Sequence, residues 1–206
     1  DGRPDYFDEF LERIREIRAS EKRFYQKLRD LFALSSDYDT TDKATQMFFA
    51  ETQNKLLYAV TQKTAAEIIV SRADANSPNM ALTNWKGTKV RKQDIYIAKN
   101  YLTKDEIDTL NRLVVIFLET AELRIKERID ISMEFWTKNV DRLLEFNNKP
   151  LLASKGSISN KEMEDKVSEM YHLFEDRRKK QEAIADDKME LNELNELEKK
   201  LKRREK

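Results

Sequence analysis

The stretch TKDEIDTLNRLVVIFLETAELRI, residues 103 to 125, decides the fold of this chain. Its apolar side chains recur at every third or fourth position, which is the spacing of one face of an α-helix. Thr103 and Glu106 stand three residues apart, the spacing of a capping box that opens a helix. Further apolar residues widen the stripe almost to the whole circumference, as in a buried helix. The pattern predicts a central helix over about 104–128.

Helical spacing continues on both sides of this segment. We expect helices over about 5–34, 42–62, 65–73, 93–100 and 133–147, and a long helix that begins near residue 159. Pro4 suits the first turn of the first helix, and Ser132 suits an N-cap position. The sequence therefore predicts an all-α bundle of six or seven helices, with a long N-terminal helix and a long, charged C-terminal helix.

The composition excludes several classes of protein. Among 206 residues there are only 3 Gly and 3 Pro, the residues that supply most tight turns, so we expect no β-sandwich, barrel or glycine phosphate loop. The chain has no Cys and a single histidine, His172, which excludes disulfides and the ligand sets of zinc enzymes. We expect no metal and no cofactor, and a packing or surface role for His172.

Charged residues make up 38% of the chain, against about 25% in an ordinary domain. They balance, because 39 Lys and Arg face 39 Asp and Glu. The longest unbroken apolar run is Leu113 to Leu118, far short of the roughly 20 residues of a membrane helix. Residues 1–4 carry neither a starting Met nor an apolar leader, and we interpret them as a linker remnant of a longer protein.

The first predicted helix carries a heptad pattern with one charged interruption. Glu21 takes a seam position between Ile14 and Leu28. A buried acid needs a partner, because an unpaired charge in a core is costly. Arg18, Arg23 and Lys55 are the candidates. This polar seam of Arg18, Glu21 and Arg23 is an ion pair that sets the registry, a heptad slip that exposes Glu21, or a polar pocket in the bundle.

Residues 74–92 lack the apolar spacing of a helix, and we expect an ordered loop there that is pinned by Trp85. The region from 71 to 104 has a net charge of +5, because seven basic residues face Asp74 and Asp94. The basic residues are Arg72, Lys86, Lys89, Arg91, Lys92, Lys99 and Lys104. Interleaved aromatic residues make nucleic-acid binding one interpretation, since cations bind phosphates and aromatic rings stack on bases. A solvated lysine face is the other.

A third interpretation places an enzyme site in the same region. The polar residues in and beside the predicted loop are of mixed type, but they match no known catalytic arrangement. They are Arg72, Asp74, Asn79, Trp85, Lys86, Lys99 and Asn100. We name no catalytic residue and favour a protein that is not an enzyme.

Beyond about residue 175 the aromatic residues end and the charges alternate in sign. Leu191, Leu194, Leu197 and Leu201 give a thin apolar stripe. This pattern predicts a charged helical extension or short coiled coil over 176–206, following a helical domain over 5–175.

Several separated blocks of the sequence together resemble a known family. They are DYFDE (5–9), IRASEKRFYQK (17–27), TAAEI (64–68), SRADA (71–75), PNM (78–80), LTNWK (82–86), IAKNYL (97–102) and LNR (110–112). Their order and spacing resemble the C-terminal region of the RhuM family of bacterial virulence-associated proteins, over about residues 5–175.

The resemblance implies a bacterial, cytoplasmic protein of no established biochemical activity. It also implies an N-terminal DNA-binding or antirepressor-like module outside this sequence, and it gives no catalytic residues. We therefore expect an interaction and oligomerisation module of a DNA-associated protein that self-associates as a dimer. Binding of nucleic acid by residues 71–104 and an enzyme site around Arg72 to Asn100 are the alternatives.

Overall fold

The computed structural model describes residues 6–19 and 24–204. In these ranges the prediction of an all-α protein is confirmed, since they hold seven α-helices and no strand. The helices are α1 (Tyr6–Ala19), α2 (Phe24–Phe32), α3 (Lys43–Thr61), α4 (Ala65–Arg72), α5 (Lys104–Lys126), α6 (Met133–Phe146) and α7 (Asn160–Arg204). Three short 3-10 helices, Pro78–Ala81, Asp94–Tyr96 and Ala98–Tyr101, lie between α4 and α5.

The chain divides into two compact units. The first unit comprises residues 1–68 and 102–159, and the second comprises residues 69–101 and 160–206. The predicted boundary between residues 175 and 176 stays a prediction, and α7 runs through this position without a break.

The core of the first unit is built around α5. Helices α1, α2 and α3 each pack against it, and α6 packs against α3. The rings of Phe32 of α2, Phe117 of α5 and Trp136 of α6 form one cluster. The Phe117 centroid lies 6.3 Å from that of Phe32 and 5.9 Å from that of Trp136, and the Phe32 and Trp136 centroids are 4.9 Å apart. All three rings are almost completely buried. The central position predicted for this helix is confirmed.

The N-terminal segment is not the single helix predicted over 5–34. Lys27 Nζ of α2 donates a 3.0 Å hydrogen bond to the carbonyl of Arg18, nine residues earlier in α1. One straight helix would separate these residues by about 13 Å along its axis, at about 1.5 Å per residue. The two helices instead pack against each other and against α5. The heptad pattern predicted the buried faces correctly, because Ile14, Ile17, Leu28 and Leu31 are all buried.

The predicted polar seam lies partly outside the described residues, since Glu21 and Arg23 fall in the gap between 19 and 24. Arg18 is described, and its guanidinium pairs with Glu122 and, at 3.1 Å, with Glu119. Glu122 is only 7% exposed and also pairs with Lys126 at 3.1 Å. These cations lower the pKa of Glu122, the hydrogen bond from Lys126 contributing most and that from Arg18 next. A buried acid with cationic partners does occur, but on α5.

Lys55, the third candidate partner for Glu21, pairs with Asp141 at 2.9 Å and with Glu51 at 3.1 Å. The Lys55 side chain is only 15% exposed and the Asp141 side chain is 45% exposed, so a partly exposed pair ties α3 to α6.

The start of α4 is fixed by Glu67. Its carboxylate accepts hydrogen bonds from the backbone N–H and hydroxyl of Thr64, at 2.8 Å and 3.0 Å. It also accepts two 2.7 Å bonds, from the N–H and the hydroxyl of Ser157. Gly156 allows this approach, because a Cβ at that position would lie 2.7 Å from the Thr64 side chain. Glu67 thereby holds the loop before α7 against the start of α4.

We expect Arg18→Met to lower the free energy of unfolding by about 1–3 kcal/mol, because it leaves the buried Glu122 carboxylate with fewer donors. The matched control is Arg13→Met in the same helix, whose exposed pair with Glu9 should contribute less than about 1 kcal/mol. Urea denaturation measures both changes. Equal losses in the two variants would contradict the assignment.

Glu67 should make stability depend on pH. Although burial opposes it, the four hydrogen bonds lower the pKa of its carboxyl from 4.5 to about 2. A group whose pKa falls on folding stabilises the fold above its unfolded pKa, and this contribution is lost as pH falls through the folded pKa. The advantage of the wild type over Glu67→Gln should therefore shrink between about pH 4.5 and pH 2.

Urea titrations at several pH values measure this advantage. The control is Glu145→Gln, which replaces an exposed carboxylate. A difference between the wild type and Glu67→Gln that stays constant over this pH range would show that the hydrogen bonds do not favour the charged form.

Candidate functional site

The region from 74 to 101 in the second unit is ordered by its own small core. Met80, Leu82 and Val90 are buried, whereas Trp85 is only half-buried. The prediction that Trp85 pins this loop stays a prediction. Three smaller apolar side chains at separate points of the loop are more deeply buried than Trp85.

The helix predicted over 93–100 is two 3-10 turns, Asp94–Tyr96 and Ala98–Tyr101, with extended backbone at Ile97 between them. Local side chains hold this bent path. The Asn100 amide donates to the carbonyl of Asp94 at 2.8 Å, and the Tyr101 hydroxyl donates to the carbonyl of Ile95 at 3.0 Å. Polar side chains that bond nearby backbone compete with a regular helix, which explains the difference.

Asn100 also holds the part of the loop around Thr83. Its backbone carbonyl accepts hydrogen bonds from the N–H of Thr83 at 2.7 Å and from the Thr83 hydroxyl at 3.0 Å. The residue is only 4% exposed. Arg72 of α4 bonds to the neighbouring backbone, since its Nη1 donates a hydrogen bond to the carbonyl of Tyr101 at 2.8 Å. Both predicted site residues use polar groups to hold the loop together.

Asp74 closes a turn at the end of α4. Its carboxylate accepts hydrogen bonds from the Ser77 hydroxyl at 2.6 Å and from the N–H of Asn76 at 2.8 Å. These bonds, in that order, lower its pKa. Arg177 of α7 donates to the Asn76 side chain at 3.3 Å and lowers the pKa of Asp74 further by its charge.

A left-handed turn follows directly. Asn79, Met80 and Ala81 have φ values of 53°, 56° and 60°. The left-handed region costs an L-residue with a Cβ about 1–2 kcal/mol, although Asn tolerates it better than Ala or Met. The buried Met80 side chain supplies the packing that maintains this conformation.

The remaining predicted site residues differ in exposure. Lys86, Lys89 and Arg91 are exposed, whereas Asn79 and Lys99 are half-buried. The arrangement brings Arg72 and Asn100 to adjacent parts of one backbone network, and it places Asp74 and Asn79 in two successive turns. The enzyme interpretation stays a prediction, because Arg72, Asp74 and Asn100 all have structural tasks here.

No group of acidic or imidazole side chains within 6–19 and 24–204 is arranged to hold a metal ion. His172 is exposed on α7, which confirms the surface role expected for it. None of the described helices is both long enough and apolar enough to cross a membrane.

Helix α7 has buried residues near its start and exposed residues further along. The helix packs against the turn Asp94–Tyr96, and Phe174 is buried. From residue 179 to residue 195 every side chain is exposed. We call residues 179–204 of α7 the arm. The loss of aromatic residues after 175 was the signal in the sequence.

These features define, over the described residues, an all-α protein with a helical first unit and a second unit that carries a cationic loop and a helical arm exposed over residues 179–195. The family model described as Virulence protein RhuM family matches residues 1–182. The chain belongs to this family of virulence proteins, which confirms the resemblance noted above. Searches of curated proteins and of solved structures found no match.

The left-handed turn leads to a prediction about stability. Ala81→Gly should raise the free energy of unfolding by about 0.5–1 kcal/mol, because the relief of a positive φ exceeds the entropy that Gly adds to the unfolded chain. Ala75→Gly in the same loop, where φ is not positive, should lower it. Thermal denaturation followed by circular dichroism tests both, and destabilisation by Ala81→Gly would contradict the turn geometry.

Proposed function

We propose that this chain is a self-association module of a RhuM-family virulence protein, and that two copies pair through their arms. The observation that carries the proposal is the exposure of three apolar side chains on the arm. Ile184, Leu191 and Leu194 are 55%, 60% and 63% exposed. Burying a side chain of this size contributes about 1.5–3 kcal/mol, so their exposure favours a partner.

The three side chains lie on one side of the arm. Ile184 and Leu191 are seven residues apart and Leu194 follows three later, so they take a, a and d positions of a heptad repeat. Asp187 takes the d position between the first two and narrows the stripe. A narrow a and d stripe suits the seam of a two-helix coiled coil. Met189, 62% exposed, lies about 140–200° around the helix from this seam.

A second packed helix would also support the arm itself. Most helices in water depend on a packed apolar face, because the intrinsic preference of the backbone for helix is weak. The described part of the arm has no such face within its own chain, since its side chains are exposed from 179 to 195. A coiled coil would provide this face through burial of the seam.

The charge pattern favours a second copy, in antiparallel orientation. Residues 182–198 contain seven acids and one base, and residues 199–206 contain six bases and one acid. Parallel pairing would place each block against its like. Antiparallel pairing that sets Leu191 against Leu194 of the second copy brings residues 199–203, with four bases, alongside residues 182–186, with two acids. This register buries the seam and brings opposite charges together at the two ends of the paired segment.

The consequence for function follows from the family. The resemblance implies a DNA-binding segment outside this sequence, and pairing of two copies would link two such segments. Linked modules bind jointly through their effective concentration, far more tightly than one alone. This part of the proposal depends on self-association of the arm.

Sedimentation equilibrium of the whole chain tests the pairing. We expect a dimer for the wild type and a monomer for Leu191→Asn/Leu194→Asn, because two polar residues in the seam remove its apolar contacts. Met189→Asn is the matched control, on the same arm and equally exposed but away from the seam, and it should remain a dimer. A wild-type monomer at the highest soluble concentration, or equal effects of the two variants, would reject the proposal.

A spin label tests the orientation. The chain has no Cys, so Gln181→Cys introduces a single labelling site. In the antiparallel register the two labels would be about 35 Å apart along the axis, and in parallel register side by side within about 20 Å. Pulsed electron paramagnetic resonance measures this distance. A short distance would retain the dimer but overturn the antiparallel arrangement.

A further inference from the structure

A stretch of unbalanced positive charge in the second unit lies in residues 84–93, which we call the basic loop. These ten residues contain Lys86, Lys89, Arg91 and Lys92 and no acid. All four cations are exposed. The backbone beneath them is fixed, because Val90 is only 2% exposed.

The nearby acids leave most of this charge uncompensated. Glu182 of α7 pairs with Lys89 at 2.7 Å. Asp94 is only 4% exposed, and its carboxylate accepts the N–H of Arg91 at 2.9 Å. Within the described residues Lys86, Lys92 and the Arg91 guanidinium have no carboxylate partner. Three cations therefore face water without a counter-charge.

The loop geometry places two of these cations at one turn. Gly87 has a φ of +92°, and a Cβ built on it would lie 3.5 Å from Nη2 of Arg91. The guanidinium of Arg91 thus lies beside the backbone that carries Lys86. Trp85 precedes Lys86 directly and is half-buried, so part of this residue is accessible to solvent.

We propose that the basic loop binds single-stranded nucleic acid, with Lys86, Arg91 and Lys92 on phosphates and Trp85 stacked on a base. Cations that track a backbone beside an aromatic ring that stacks on a base are the combination that single-strand binding proteins use. Reading a duplex requires a helix or a β-ribbon in the major groove, and this surface is an irregular loop. An anionic membrane fits less well, because Met80, Leu82 and Val90 are buried and leave only Trp85 to enter a lipid surface.

Fluorescence anisotropy with a labelled single-stranded oligonucleotide tests the proposal on the whole chain. Three phosphate contacts predict a slope of about −2 in log affinity against log salt, or about 20-fold weaker binding at 200 mM than at 50 mM salt. Affinity that does not change with salt would overturn the proposal.

Charge reversal identifies the surface. Lys86→Glu/Arg91→Glu/Lys92→Glu should abolish binding. The control Lys43→Glu/Arg142→Glu/Lys155→Glu changes the net charge equally at exposed or half-exposed positions of the first unit and should bind nearly as the wild type does. Circular dichroism verifies that both variants fold. Equal loss in both variants would mean attraction by net charge alone, and would overturn the assignment.

Trp85 gives a second readout. Trp85→Leu should weaken binding about 5–100-fold, as expected for the loss of one stacked base, whereas Trp85→Phe should retain most of the affinity. Binding should quench tryptophan fluorescence in the wild type but not in Trp85→Phe, since Trp136 is fully buried. Tighter binding to a duplex of the same sequence, or binding to phosphatidylserine vesicles without binding to the oligonucleotide, would reject the single-strand proposal.

Discussion

Burial of α5 is the constraint on which the first unit depends. Its apolar side chains face several directions, so α1, α2 and α3 all pack against it. Phe32, Phe117 and Trp136 fill the space where α2, α5 and α6 meet. This packing also explains the charged pairs. Glu122 lies beside the buried face of α5, and a carboxylate there is tolerated because Arg18 and Lys126 reach it.

The second unit is held together in a different way. Its loop contains few apolar residues, and side chains that bond to the backbone replace much of the regular structure. Asn100, Asp74 and Arg72 all act in this way. Lys89 of the basic loop pairs with Glu182, whereas Lys86, Lys92 and the Arg91 guanidinium have no carboxylate partner among the described residues and need take no part in holding the fold. A rigid loop with exposed charge is the arrangement that binding surfaces commonly use.

The family match and the proposals concern different parts of the chain. The RhuM family match covers residues 1–182, which include the whole first unit and the basic loop. It ends before Ile184, the first residue of the apolar seam on the arm. The proposed pairing therefore depends on residues outside the family match, whereas the basic loop lies inside it. Pairing of two arms would also bring two basic loops into one assembly, which would strengthen binding to a long strand.

Local signals predicted most of the helices well. Helices expected over 42–62, 65–73 and 133–147 are observed at Lys43–Thr61, Ala65–Arg72 and Met133–Phe146, because periodicity and caps act over a few residues. The helix predictions were wrong where contacts between distant residues, or hydrogen bonds from side chains to the backbone, determine the local structure. The heptad pattern continues from α1 into α2, so it did not separate these two helices. The 3-10 turns near Asn100 depend on side-chain bonds that periodicity does not encode.

The candidate sites likewise include features that the sequence alone predicts and contacts that only the structure shows. Charge and composition alone indicated the basic region and the charged tail, since both are properties of consecutive residues. The sequence by itself thus determined an all-α protein with a central α5, because the spacing of apolar residues along the chain specifies which face of each helix is buried. Only the tertiary structure decided that Arg18 neutralises Glu122, which lies 104 residues away, and that Met80, Leu82 and Val90 are more deeply buried in the loop than Trp85. Such partners are selected by position in space, and position in space follows from packing of the whole unit.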